Sequence, residues 1–101
     1  MQFEFATKDL EELYYEEKGA SQYLEDVVSA FFRRMKVIGD AKDERDLRAL
    51  QSVHFEKLKP KHAGLYSLRL CGRWRLIFTF APASEKDKKL VIKEISNHYG
   101  D

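Results

Sequence analysis

The chain is poor in cysteine, proline and uninterrupted apolar sequence. A single cysteine, Cys71, excludes an internal disulfide. The longest stretch without a formal charge is Leu76–Ser84, nine residues, where a membrane-spanning helix needs about 20. Near the N-terminus Glu4, Lys8, Asp9, Glu11 and Glu12 break every apolar run, leaving no room for the apolar segment of a secretion signal. No repeat, low-complexity tract or linker is present. Together these absences predict a protein without a membrane, working in the reducing cytoplasm. Cys71, beside Gly72 and far from any metal-ligand or catalytic spacing, reads as an incidental turn thiol.

What is present is an ordinary globular composition: 101 residues, 44% hydrophobic and 35% charged, with 18 basic and 17 acidic side chains. That length suits one domain, predicted over 1–101. The net charge of +1 hides an asymmetry. Residues 1–52 carry 8 basic and 12 acidic groups, and residues 53–101 carry 10 and 5. Between His54 and Arg75 the basic residues are Lys57, Lys59, Lys61, Arg69, Arg73 and Arg75, opposed only by Glu56. A local excess of this kind is the electrostatic footprint of a polyanion partner, although it also serves as a solubilising surface.

The hydrophobic period changes along the chain. Gln2–Phe5 alternates as a short strand does. Leu10, Leu13 and Tyr14 are helically spaced, with Gly19 as a stop. Ser21 is a candidate cap for a second helix, in which Tyr23, Leu24, Val27, Val28, Phe31, Met35 and Ile38 form one stripe ending at Gly39-Asp40. Asp43–Leu50 reads as a shorter helix. The period then becomes two: Phe55–Leu58, Leu65–Leu70, Arg73–Phe80 and Leu90–Ser96 read as strands, with Cys71-Gly72 as a tight connection and Pro82 to Lys88 as a polar loop. The predicted fold is α+β: an N-terminal strand and two to three helices packed on a mostly antiparallel sheet of four to five strands, with the other sheet face open. Trp74, in phase with Leu76, Phe78 and Phe80, belongs to the core face. Arg73 and Arg75 fall on the opposite face, joined by Arg69 if the hairpin is in register. Three exposed guanidiniums at one end of a sheet repel one another unless anions lie between them, and their planar forks fit phosphate oxygens.

Asp46–Leu50, Phe55-Glu56-Lys57-Leu58-Lys59, Gly64-Leu65-Tyr66-Ser67-Leu68-Arg69 and Arg73-Trp74-Arg75-Leu76-Ile77-Phe78 resemble the HigB branch of the RelE/ParE toxin superfamily. The resemblance covers residues 43–81 well, and the flanking helices by order and length. It implies a RelE-like sheet and a toxin of a two-gene toxin–antitoxin module. In the HigB and RelE branches such toxins cleave mRNA in the ribosomal A site without a metal or other cofactor. In the ParE branch they poison DNA gyrase. It also implies a cognate antitoxin, in HigB modules often a HigA-like helix-turn-helix protein, with the ribosome and mRNA as further partners. By position, Lys59 matches the lysine of the family's Leu-Lys pair, Arg75 the arginine of Trp-Arg, and His98 the C-terminal histidine. The sequence departs from the pattern at Pro60, where glycine is usual, at Arg73, where asparagine or glutamine often stands, and in the tail, where His98 precedes Tyr99.

Metal-independent RNA cleavage uses the 2′-OH as nucleophile. It needs a proton acceptor, a cation for the pentavalent phosphate and a proton donor for the leaving 5′-oxygen. Arg75, with Arg73 or Arg69, is the charge stabiliser. His98 is the natural proton carrier, its unperturbed pKa being about 6.5, and Tyr99 or Lys59 takes the other proton. Lys57, Lys61, Arg69, Arg73 and His54 are candidate RNA contacts, and no residue is assigned to a metal. His54 and His62 lack metal-ligand spacing and read as phosphate contacts or bystanders. A gyrase-type inhibitor of the same fold and a degenerate, non-catalytic binding module remain as alternatives.

Overall fold

The fold follows the change of period. The computed structural model describes residues 1–50, 54–58, 64–82 and 88–97. Its elements are β1 (Phe3–Phe5), α1 (Lys8–Glu16), a 3-10 turn (Ala20–Gln22), α2 (Glu25–Asp40), α3 (Glu44–Ala49), β2 (Glu56–Lys57), β3 (Tyr66–Cys71), β4 (Trp74–Pro82) and β5 (Lys88–Ser96). The strands form one sheet in the order β1-β5-β4-β3-β2. All neighbours are antiparallel except β1 and β5, which run parallel. This is the α+β sandwich expected, with helices before the meander.

The helix boundaries have local causes. Thr7 caps α1, its side chain accepting from the Leu10 amide at 3.3 Å, and Glu17 ends it in the left-handed region with φ 55°. Gly19, at φ 83°, opens the 3-10 turn rather than stopping α1. Ser21 lies within that turn and does not cap α2. The N-cap of α2 is Leu24, without a side-chain bond, and Glu25 and Asp26 supply the negative charge that favours a helix start. The helix runs through Gly39-Asp40 and stops at Ala41. Asp43 caps α3, accepting from the Arg45 amide at 2.9 Å.

Val27, Ala30, Phe31, Met35 and Ile38 of α2 are buried against the inner sheet face, where Leu68, Leu70, Leu76, Phe78, Leu90, Ile92 and Ile95 meet them. Phe3, Phe5, Tyr14, Phe31 and Phe32 form an aromatic cluster joining β1, α1 and α2, with ring centroids 5.4–6.5 Å apart. Trp74 faces this side, edge-on to Tyr23 at 6.2 Å.

Two irregularities shape the outer face. β3 and β4 shift register between Arg69 and Cys71. β4 and β5 shift between Ile77 and Phe78, which pair with Glu94 and Ile92 and leave Lys93 as the additional residue of a bulge. The outer face is also less open than expected at its centre: Ser67 and Ile77, cross-strand partners, are both fully buried. Pro82 and Lys88 belong to strands rather than to a loop.

Candidate functional site

The β3–β4 hairpin turns at Gly72-Arg73, and Gly72 takes φ 54°, a left-handed value that a residue with a Cβ seldom adopts. The turn sets the register that places Arg69 directly opposite Arg75, so both side chains leave the same, outer face. Like charges at paired positions normally disfavour a sheet. Two features accommodate them here.

The first is Glu56. It pairs with Ser67 one row further along the same face, and its Oε2 lies 3.4 Å from Nη1 of Arg75. The Arg75 side chain is only 18% exposed, which corrects the expectation of three exposed arginines. Arg69 and Arg73 are exposed, whereas Arg75 is sunk beside a carboxylate. The second feature is Arg34, which the sequence did not single out. β2 is in register with β3 at Tyr66 and Ser67, and among the described residues no strand runs beside Arg69 on that outer edge. There Nε of Arg34 donates to the Arg69 carbonyl at 2.7 Å. Burial, followed by the charges of Arg33 and Arg69, pushes the Arg34 guanidinium below its ordinary pKa, the mark of a crowded cationic edge. A guanidinium remains charged there. The sequence signal was weak: Arg34 stands one helical step from Phe31 and Ile38, at the border of the buried stripe of α2, where a long side chain can lie along apolar surface and reach out.

The other sequence candidates are placed differently. Lys57 is in register with Tyr66, so it leaves the sheet on the face opposite Arg75. His54 is exposed, with φ 47°, on the segment entering β2. Lys59, Lys61, His62, His98 and Tyr99 lie outside the described residues. Among the described residues no group of three or more His, Cys, Asp or Glu side chains gathers as a metal site, and no helix is long and apolar enough to cross a membrane. Cys71 is a half-buried free thiol.

The helix-backed mixed sheet, with its arginine hairpin on the outer face, has the RelE/ParE fold. The description of the RelE-like toxins of the type II toxin–antitoxin system HigB matches residues 3–93. The chain is 33% identical over 78 residues to Toxin HigB-1 of Vibrio cholerae serotype O1, covering 77% of this chain and 82% of that one. Its fold is similar to that of a solved YoeB/ParE toxin from Agrobacterium tumefaciens, with a TM-score of 0.59 over 98% of this chain and all of the other at 15% identity. The chain therefore belongs to the HigB-like family of RelE-like toxins. As a type II toxin it has an antitoxin for a partner.

Proposed function

We propose that this toxin is an endoribonuclease that cuts mRNA on the ribosome, in the cytoplasm, through transfer of the phosphate to the neighbouring 2′-oxygen. The observation that carries this reading is the Arg69–Arg75 cross-strand pair, with Arg73 at the turn and Arg34 behind it. A like-charge pair in a sheet is a standing cost of roughly 0.2–1 kcal/mol, and a bound polyanion removes it. Glu56 is the counter-ion that occupies Arg75 before substrate arrives; a scissile phosphate takes its place with a geometry the guanidinium fork fits better.

In the reaction, the 2′-OH loses its proton, its oxygen attacks phosphorus, and the bond to the 5′-oxygen breaks. The products are a 2′,3′-cyclic phosphate and a protonated 5′-OH. Arg75, seconded by Arg69 or Arg73, offsets the extra negative charge of the pentavalent state. His98 and either Tyr99 or Lys59 carry the two protons. Lys61 and His54 add phosphate contacts around the site.

Primer extension on a reporter mRNA, from cells briefly expressing the chain alone, tests the proposal. Discrete cuts within translated codons, absent with His98→Ala and with Arg75→Ala, are the expected result. Growth arrest with intact mRNA would instead favour a gyrase-type inhibitor. Neither arrest nor cuts would leave a non-catalytic member of the fold.

A further inference from the structure

β5 loses its outer neighbour partway along its length. β1 pairs only with Leu90, Val91 and Ile92. The last bond between them runs from the Ala6 amide to the Ile92 carbonyl at 2.8 Å, after which the chain turns into α1. Leu90 and Ile92 send their side chains inward and their backbone groups toward β1, as the Leu90 amide shows by donating to the Gln2 carbonyl at 3.0 Å. The bulge at Lys93 resets the alternation, so that Ile95 points inward again, at 8% exposure. Its amide and carbonyl therefore face the same outer edge, and no described strand runs beside Lys93–Ile95.

A cavity of about 530 Å³ opens there, between the bare edge of β5, α1 and the 3-10 turn. Leu10 and Leu13 give it an apolar wall. Its charged lining is three carboxylates, Asp9, Glu12 and Glu94, against two ammonium groups, Lys18 and Lys93. Glu12 is engaged by Lys18 at 3.2 Å and by Lys8 at 3.7 Å. Asp9 and Glu94 make no ion pair among the described residues. Both act on the Tyr23 hydroxyl, whose pKa is raised by burial and then by these two charges.

We propose that this cleft seats an extended segment of a partner protein, added as a strand along the Lys93–Ile95 edge and placing one arginine or lysine between Asp9, Glu94 and the Tyr23 hydroxyl. The bare edge supplies main-chain hydrogen bonds. The cavity, inside the range of about 300–1,000 Å³ that holds ligands, takes the side chain. Asp9 and Glu94, the two lining carboxylates without an ion pair among the described residues, set its sign. A diffusible cation would satisfy the charge and leave the strand edge unused, so a polypeptide fits the whole site better. The partner at hand is the antitoxin. The inference rests on membership of the toxin family and is independent of the nuclease reading.

Hydrogen exchange of the full chain, free and in the purified complex with its antitoxin, tests it together with the doubly substituted Asp9→Asn, Glu94→Gln chain. The Ile95 amide should exchange more slowly in the complex. The double substitution should weaken antitoxin binding by about 10- to 100-fold, the range of a charge-assisted hydrogen bond, and leave mRNA cleavage unchanged. Equal exchange of Ile95 in both states, or protection confined to the Arg69–Arg75 hairpin, would overturn the proposal. The exchange comparison uses the unaltered chain and decides the matter even if the variant does not fold. Cleavage is scored separately, so loss of the nuclease reading and loss of this one are distinct results.

Discussion

Among the described residues the sheet leaves two stretches of strand edge without a neighbouring strand, and they are treated in opposite ways. On β3, beyond its short pairing with β2, the Arg69 carbonyl is met by the Arg34 side chain. On β5, beyond its short pairing with β1, the edge at Lys93–Ile95 faces a cavity with a net negative lining. Unpaired strand edges invite other chains, and proteins blunt them with charge or cover them. The first edge is blunted by arginine. The second is left as a cleft. One small domain thus offers two surfaces of opposite sign, and a partner on one need not displace a partner on the other.

The largest effect should come from Arg75→Ala. Loss of one preorganised charge stabiliser lowers cleavage by about 10²–10³-fold, measured by primer extension, with antitoxin affinity at the β5 cleft retained. Arg75→Lys should recover only part of the activity, because an ammonium lacks the fork. If Arg75→Ala cut as well as the parent, the arginine edge would lose its catalytic meaning.

Arg34→Ala should act more mildly. Loss of the bond to the Arg69 carbonyl, at an exposed site, costs about 1 kcal/mol, seen as a lower urea midpoint and faster amide exchange in the β3–β4 hairpin. Cleavage should fall less than tenfold. Arg34→Lys separates charge from positioning: it should restore ribosome affinity more fully than hairpin protection.

Arg69→Gln and Arg73→Gln should each reduce the slope of log affinity against log salt for ribosome binding by about 0.7–0.9. The same substitutions should leave the salt dependence of antitoxin binding at the β5 cleft unchanged.

The smallest effect concerns Tyr23. Its pKa is raised in the folded chain, so its contribution to stability is fully present below the unfolded value of about 10 and fades as pH rises through the folded value. The urea midpoint should therefore decline above pH 10. With Asp9→Asn and Glu94→Gln, the Tyr23 phenol should ionise at lower pH, followed by its absorbance near 295 nm.

Much of the fold was readable because each strand in the second half alternates cleanly and each helix carries one stripe. Arg69 and Arg75 followed from the hairpin spacing around Gly72. Where the reading failed, tertiary structure outweighed local signal. Ser21 is a good cap by type, yet the chain uses that stretch for a 3-10 turn that brings Tyr23 onto Trp74. Arg75 looked exposed because Glu56, which half-buries it, is 19 residues away in sequence. Ile77 alternates onto the outer face, and its full burial there departs from the open face expected. The β5 cleft had no signature at all, since it arises from a one-residue bulge and from where β1 happens to end. The proton carriers His98, Tyr99 and Lys59 stand on the resemblance and on their chemistry.

The parallel pairing of β1 with β5 has a consequence in time. Phe3 meets Leu90 and Phe5 meets Ile92, so the first strand waits for the last before it has a partner. Until β5 has been made, the helices lack the part of the inner face that Leu90, Ile92 and Ile95 supply, and β4 lacks one of its two neighbours. Contacts of such long sequence separation form late. A nascent chain therefore cannot complete the sheet until its last strand is made.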